Sequence, residues 1–484
     1  MSKFTFSLVV AYSFPSRGIG KDGCMKWHIS DDLKRFAIIT KCSNPGEMPV
    51  VVMGRKTWDS LPKKPLPSRL NIVLSNSMST PVSTPDDYPN TVFCTFENLL
   101  QTLEFVKFSI HPDIKVIGGG EIYKLFLESS LPISRIYATE VYCPKEPEYD
   151  TVFVDVDDKF SLEKVSTFNN SKDGIYFRYL TYCTGNEEVS ENWKNTEEYD
   201  YLNLMSKIIS SQCVRDDRTG VGTFSVFGKQ LTYDLSDTFP LCTTKKMFMR
   251  GIFEELMMYL RGQTDNNILV SKGIHVWDGN TTRSFLDKRG LVHYKEGDMG
   301  STYGFNFRHF GATYKGCDAS YVGQGFDQLK EIIRLIKTDP TSRRMIINLW
   351  DPQNNQGAAL PACLCMYQFY VRDSTYLDLQ IYIRSSDYFL ANNWNTCTGA
   401  LFVHLLCSLN GINLTPGTLT VCMGDAHVYS SHINQVNENI KRVPFPFPKL
   451  IVKSKKDNIE DFEFSDIRLI GYRSHERISA PMAV

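Results

Sequence analysis

Val116-Ile117-Gly118-Gly119-Gly120-Glu121-Ile122-Tyr123 is the stretch that decides the fold. Apolar Val116 and Ile117 end a strand-like run, three glycines follow, and Glu121 opens a helical pattern. Strand, glycine turn, helix is the repeating joint of an α/β sheet. Glycine there lets the backbone approach a ligand, and a helix N-terminus offers unpaired N–H groups to phosphate. A left-handed turn that needs glycine accounts for the same three residues. A second joint, Val51-Val52-Met53-Gly54-Arg55-Lys56-Thr57-Trp58, adds two cations at another helix start. Two such joints suit a ligand with several phosphates, as in a dinucleotide, although neither carries the GxGxxG fingerprint.

Outward from these joints the chain has two halves. Phe4–Ala11, Val50–Met53, Leu70–Leu74, Lys115–Ile117, Arg135–Val141 and Ile175–Tyr182 read as strands between helical segments, so residues 1–183 are expected to form an α/β domain with a mostly parallel sheet. Residues 184–199, polar and rich in glutamate, read as a linker or connecting helix. Residues 200–484 are expected to be α+β. Helical patterns run at Tyr201–Ser210, Arg250–Leu260, Phe326–Lys337 and Phe389–Leu409, and strands at Met345–Trp350, Cys365–Arg372 and Tyr376–Ile383.

The bulk numbers agree with two soluble cores: 484 residues, 42% hydrophobic and 22% charged. A net charge of −1 gives no general attraction to nucleic acid or anionic membrane, and neither partner is expected. The 13 cysteines are an odd set without metal-ligand spacing, which points to free thiols, no metal and a reducing compartment, the cytoplasm. A strand beginning at Phe4 leaves no room for an organelle leader.

Asp32 falls in the first turn of a helix opening near Ser30, four residues before Phe36 and so on the same face. Most such aspartates only complement the helix dipole. Flanked by Trp27, Ile29, Leu33 and Phe36, this one is placed to offer a flat heteroaromatic ring a charged hydrogen bond. Gly18-Ile19-Gly20, Met25–Phe36, Met53–Leu61, Leu66-Pro67-Ser68-Arg69, Asn71–Ser75 and Ile117–Tyr123 together resemble the dihydrofolate reductases over nearly the whole first half. The resemblance implies that Asp32 binds the pteridine and supports its protonation, with Thr139 orienting the carboxylate. Trp27 and Phe36 would complete the dihydrofolate pocket, and Arg69 would clamp the ligand's glutamate carboxylate. Ala11, Ile19, Gly54, Arg55, Lys56, Thr57, Ser75 and Gly118, Gly119, Gly120, Glu121, Ile122 and Tyr123 would contact NADPH. The resemblance also implies a cis Gly119–Gly120 bond. Where the family often has prolines beside the tryptophan, this chain has Lys26 and Ser30.

In the second half, Leu360-Pro361-Ala362-Cys363-Leu364-Cys365 puts a thiol in a turn before a strand. A cysteine among apolar residues is most often an inert core residue. Arg218, Arg343-Arg344 and Arg384 change that reading, because clustered guanidinium groups bind a phosphate dianion and activate a thiol. Arg218–Thr223, Thr243-Thr244-Lys245, Glu255-Leu256, Ser342-Arg343-Arg344, Gly424–Tyr429 and Ala480–Val484 resemble thymidylate synthase over nearly the entire half. The resemblance makes Cys363 the nucleophile toward dUMP and Glu255 the organiser of proton transfer. Arg218, Arg384, Ser385 and Ser386 would hold dUMP together with Gln368, Asp387, Asn395, His427 and Tyr429. Arg343 and Arg344 would reach in from a second subunit, making the protein a homodimer through this domain. Trp277, Asp387 and Val484 would meet 5,10-methylenetetrahydrofolate.

Three departures stand out: Leu364 in place of a histidine, Ser386 in place of a cysteine, and Ala391-Asn392-Asn393-Trp394-Asn395 in place of Gly-Leu-Pro-Phe-Asn. The order of the halves is that of the bifunctional reductase–synthases of protozoa and plants. It implies a multifunctional enzyme in which the synthase half makes the dihydrofolate that the reductase half consumes. A pyrimidine hydroxymethylase and a non-catalytic dimer are the competing readings; Asn395, whose amide suits the uracil edge, speaks against the first and the intact Cys363, Glu255 and arginine set against the second.

Overall fold

The computed structural model describes residues 3–76, 82–83, 88–106, 109–156, 159–184, 193–211, 214–217 and 220–482. The chain divides into two compact units, Met1–Trp193 and Lys194–Val484.

The first unit is built on Thr5–Ser13 (β1), Val50–Gly54 (β2), Leu70–Leu74 (β3), Thr91–Cys94 (β4), Asp113–Val116 (β5), Ile133–Tyr142 (β6), Phe160–Val165 (β7) and Tyr176–Thr184 (β8). They lie in the order β7-β8-β6-β1-β5-β2-β3-β4. From β6 to β4 neighbours run parallel, while β8 and β7 are antiparallel additions at one edge. The all-apolar run in β2 has a physical reason. Val50 and Val52 pack with Phe6, Leu8 and Ile114 on one face of the sheet, Val51 and Met53 with Val9, Trp58 and Val73 on the other. A parallel strand covered on both faces needs no polar alternation, and burying each such side chain contributes roughly 1.5–3 kcal/mol. Helices Ser30–Thr40 (α1), Arg55–Ser60 (α2) and Gly120–Glu128 (α3) carry the sequence-predicted site residues at or near their N-terminal turns.

The second unit has Thr196–Ile209 (α4), Met249–Leu260 (α5), Tyr303–His309 (α6) and Asn392–Cys407 (α7) against a mixed sheet. Its strands are Thr223–Asp234 (β9), Ile346–Asn348 (β10), Leu364–Arg372 (β11), Tyr376–Asp387 (β12) and Thr415–Tyr429 (β13), ordered β9-β13-β12-β11-β10. The β12–β13 pair is parallel and the others antiparallel. Tyr367, Phe369, Leu379 and Ile381 face a core shared with α5 and α7. The alternate residues Ile346, Tyr370, Gln380 and Tyr382 are exposed on the opposite face.

Two boundaries differ from the sequence reading. Helix α4 starts at Thr196, before the pattern expected from Tyr201 and inside the stretch 184–199 read as a linker or connecting helix. Asn195 caps it by accepting the Glu198 N–H at 3.2 Å, and Glu197 and Glu198 suit the positive end of the helix. Helix α7 starts at Asn392 rather than Phe389, because the N–H groups of Phe389 and Leu390 turn onto Asp387 Oδ1 at 3.2 and 3.0 Å. No helix among the described residues is long and apolar enough to cross a membrane.

Candidate active sites

The two glycine joints of the first unit meet. The Gly54 N–H donates to the Gly118 carbonyl at 2.8 Å, and a Cβ on Gly119 would sit 3.3 Å from Thr57 Oγ1. Gly118 has φ +118°, closed to L side chains. A Cβ on Gly54 would lie 2.8 Å from Ile122 Cγ1, and one on Gly120 2.7 Å from Thr151 Cγ2 and 3.7 Å from Ile19 Cδ1. Glycine is therefore required here by packing, because the Ile122, Tyr123, Thr57 and Thr151 side chains fill the space a Cβ would take. The cis bond of this joint is Gly118–Gly119, not Gly119–Gly120 as the resemblance implied. The 119–120 peptide already belongs to the helix start: the Gly119 carbonyl accepts the N–H groups of Ile122 and Tyr123 at 3.0 Å each. Tyr123 donates its hydroxyl to the Val9 carbonyl at 2.6 Å. Arg55 pairs with Asp59 at 3.1 Å and lies over Phe93; Lys56 follows it in α2. Ser75, just past β3, donates its N–H to the Cys94 carbonyl at 3.0 Å, and Ala11 lies in β1.

Asp32 sits in the first turn of α1 with β6 beside it. Thr139 donates its hydroxyl to Asp32 Oδ1 at 2.6 Å, the orienting contact expected of it. Burial pushes the Asp32 carboxyl above the usual carboxylate range, while the Thr139 bond and the Arg35 charge pull it down. Arg35 is a residue the sequence reading missed. Its Nη1 donates to Thr139 Oγ1 at 3.1 Å and to the Ala138 carbonyl at 3.2 Å, with the guanidinium 4.3 Å from the Tyr179 ring centre. Arg69 is buried: its Nη1 donates to Thr40 Oγ1 at 2.5 Å, its Nε to the Pro67 carbonyl at 3.1 Å, and the Phe36 ring lies 6.0 Å away. Trp27 is buried edge-on to Tyr149.

In the second unit Cys363 immediately precedes β11. Its N–H donates to the Tyr303 hydroxyl at 2.9 Å and its carbonyl accepts the Arg384 N–H at 2.9 Å. The Arg384 guanidinium comes within 4.0 Å of Cys363 Sγ, held there by the carbonyls of Ala362 (2.9 Å) and Pro361 (3.1 Å) and by the Trp350 face (4.9 Å). Cys365 is buried, and burial pushes its thiol up against the opposing effect of Arg384. Glu255 of α5 is buried with both oxygens occupied: Trp277 Nε1 donates to Oε1 at 2.8 Å and Trp394 Nε1 to Oε2 at 2.7 Å. Burial raises its carboxyl, opposed by hydrogen bonds from Trp394, Trp277 and Tyr259. Tyr259 stacks on Tyr303 at 4.9 Å, and Trp277 meets Tyr303 edge-on at 6.0 Å. One aromatic assembly thus joins Glu255 to the Cys363 backbone. Nothing in the spacing of Tyr259, Tyr303 and Trp394 announced it.

Ser385, Ser386 and Asp387 end β12 in register with Asp425, Ala426 and His427 of β13. His427 is buried, 3.7 Å from Asp425 and edge-on to Tyr429. Asn395 lies in the first turn of α7, its N–H bonded to the Ala391 carbonyl at 2.9 Å. Arg343 and Arg344 are exposed before β10. Gln368 lies apart from the cluster, beside Tyr370, Asp378, Gln380, Thr418 and Thr420, because its neighbours Tyr367 and Phe369 take the core face of β11. Arg218 and Val484 lie outside the described residues.

Comparison with known proteins gives the same division. The dihydrofolate reductase family model matches residues 5–184 and the thymidylate synthase model residues 199–484. The bifunctional dihydrofolate reductase-thymidylate synthase of Paramecium tetraurelia is 38% identical over 99% of both chains. That of Zea mays is 37% identical over 98% of this chain and 96% of its own, and that of Leishmania major 37% over 99% and 95%. The chain belongs to the bifunctional dihydrofolate reductase–thymidylate synthase family.

Proposed function

We propose that the two reactions of this enzyme run at the two clusters just described. The chain methylates dUMP reductively with 5,10-methylenetetrahydrofolate, giving dTMP and dihydrofolate, and reduces dihydrofolate to tetrahydrofolate with NADPH. The observation that carries the assignment of the first reaction is the 4.0 Å approach of the Arg384 guanidinium to Cys363 Sγ.

At the reductase site NADPH supplies the hydride. Gly54 and Gly118–Gly120, at the joints where two strands end and helices open, would present backbone to it, and Arg55 and Lys56 the cations that suit a 2′-phosphate. Asp32, held by Thr139, stays protonated to higher pH than an exposed aspartate and so can lend a proton to the pteridine ring. Arg69, buried and held by Thr40 and the Pro67 carbonyl, is the guanidinium that would take the glutamate carboxylate.

At the synthase site the Cys363 thiolate forms a C–S bond to the uracil ring, and the ring double-bond electrons move to the adjacent carbon, which becomes the nucleophile. The folate co-substrate supplies the one-carbon unit and the electrons that reduce it. Loss of that ring carbon's proton expels tetrahydrofolate from the transferred methylene, and hydride passed from tetrahydrofolate to that methylene drives out the thiolate, re-forms the ring double bond and leaves dTMP and dihydrofolate. Glu255 orders the water that carries protons. Arg384 and Ser385 hold the phosphate, His427 and Tyr429 the ribose hydroxyl, Asn395 the uracil edge and Asp387 the pterin.

The protein acts as a homodimer through the synthase unit. The outer face of β10, β11 and β12 leaves Ile346, Tyr370 and Tyr382 exposed, and Arg343 and Arg344 are exposed beside it, free to serve a partner's phosphate site. A working Cys363 requires a reducing compartment, and we place the enzyme in the cytoplasm.

A coupled assay with dUMP, 5,10-methylenetetrahydrofolate and NADPH tests the assignment. Asp32→Asn should stop NADPH oxidation while dTMP still forms. Cys363→Ala should stop dTMP formation yet oxidise NADPH when dihydrofolate is supplied. A single variant abolishing both activities in folded protein would contradict it.

A further inference from the structure

The segment in which this chain departs from its family, Ala391-Asn392-Asn393-Trp394-Asn395, is tied down residue by residue. Asn392 Nδ2 donates to Ser386 Oγ at 3.2 Å, so two of the departures bond to each other. Asn393 Nδ2 donates to the Pro240 carbonyl at 2.9 Å and its Oδ1 accepts the Cys242 N–H at 3.1 Å. Both asparagines are buried, with both amide ends of Asn393 and the Nδ2 of Asn392 bonded. These contacts fix the first turn of α7 and aim Trp394 at α5.

There the indole finds a slot. Gly251 lies one turn before Glu255 on the same face of α5, and a Cβ on it would sit 2.7 Å from Trp394 Cη2. With that slot open, Trp394 Nε1 reaches Glu255 Oε2 at 2.7 Å, opposite the Trp277 bond to Oε1.

We propose that Trp394 is a positioning residue of the synthase reaction, its indole N–H fixing the second oxygen of Glu255 so that two indoles from separate segments orient one buried carboxylate. The proposal rests on the reading of Glu255 as the carboxylate that organises proton transfer. The titratable groups facing Glu255 are Tyr259 of α5, Tyr303 of α6 and Tyr367 of β11, with Cys363 beyond Tyr303. A neutral N–H donor stabilises the ionised carboxylate, so its removal leaves a smaller ionised fraction at any given pH.

The test is the pH profile of dTMP formation in the full chain for wild type, Trp394→Phe, Gly251→Ala and Glu255→Gln, with dihydrofolate reduction measured on the same preparations. Trp394→Phe keeps the ring and loses the donor. It should lower kcat about tenfold near neutrality and move the acid limb up by about one pH unit, with KM for dUMP within about twofold of wild type. Gly251→Ala, which crowds the indole and the Phe248 ring without removing the indole N–H, should move the limb in the same direction. Reductase activity should be unchanged in both. A Trp394→Phe profile with the wild-type acid limb, at full or uniformly reduced rate, overturns the proposal. Glu255→Gln separates the two failures. If that variant is inactive while Trp394→Phe leaves the limb in place, only the Trp394 proposal falls; if it still forms dTMP at the wild-type rate, the reading of Glu255 itself falls.

Discussion

Asp32 is a carboxylate pulled two ways. Burial favours its protonated form, while the Thr139 hydroxyl and the Arg35 guanidinium favour the charged one. Tyr123 of α3 and Tyr179 of β8 also face it, and Asp31 beside it is exposed and paired with Lys34 at 2.9 Å. Replacing Arg35 by methionine removes the one cation acting on Asp32 in this balance, so the carboxyl rises further and the protonated fraction at a given pH increases. The alkaline limb of dihydrofolate reduction should therefore move to higher pH, read from initial rates across pH with NADPH saturating; a shift to lower pH would contradict the balance drawn here. Asp32 and Thr139 were legible from the order of motifs around them. Arg35 was not, because an arginine three residues along a helix ordinarily points to water, and it is the Tyr179 face, the Ala138 carbonyl and the Thr139 hydroxyl that turn it inward.

Elements are held by contacts that periodicity does not register. Glu198, fully buried in the first turn of α4, accepts the N–H groups of Thr243 and Thr244 at 2.8 Å each and both threonine hydroxyls. Alanine there leaves two backbone donors and two hydroxyls buried without that acceptor. Glu198→Ala should destabilise the synthase unit by about 3 kcal/mol or more, read as a lower urea midpoint for loss of dTMP formation, with reductase activity retained. A midpoint unchanged from wild type would count against it. The same residue explains why α4 begins before its apolar pattern: that period starts only at Tyr201, and the partners of Glu198 lie some 45 residues away. Sheet strands fared better, since the Val50–Met53 run and the Tyr376–Ile383 alternation state their burial directly. The cis bond was placed one peptide late for a related reason. Three identical glycines do not show which one takes the φ of +118°, and only the hydrogen bonds onto the Gly119 carbonyl settle where the helix begins.

At the scale of the whole molecule, two active units on one chain and the proposed sharing of a synthase site between subunits make different demands. If Arg343 and Arg344 serve the partner's site, a dimer carrying Cys363→Ala in one subunit and Arg343→Ala with Arg344→Ala in the other keeps one complete synthase site. Mixing the two inactive variants under conditions of subunit exchange should restore dTMP formation; no recovery despite demonstrated exchange would place both arginines in their own subunit's site. The central claim is the covalent chemistry of Cys363, and intact-mass measurement after incubation with 5-fluoro-dUMP and 5,10-methylenetetrahydrofolate tests it most directly. The account predicts one adduct per chain, on the peptide bearing Cys363, and none in Cys363→Ala. An adduct that survives that substitution, or wild-type enzyme that forms dTMP yet never acquires the mass, would contradict it.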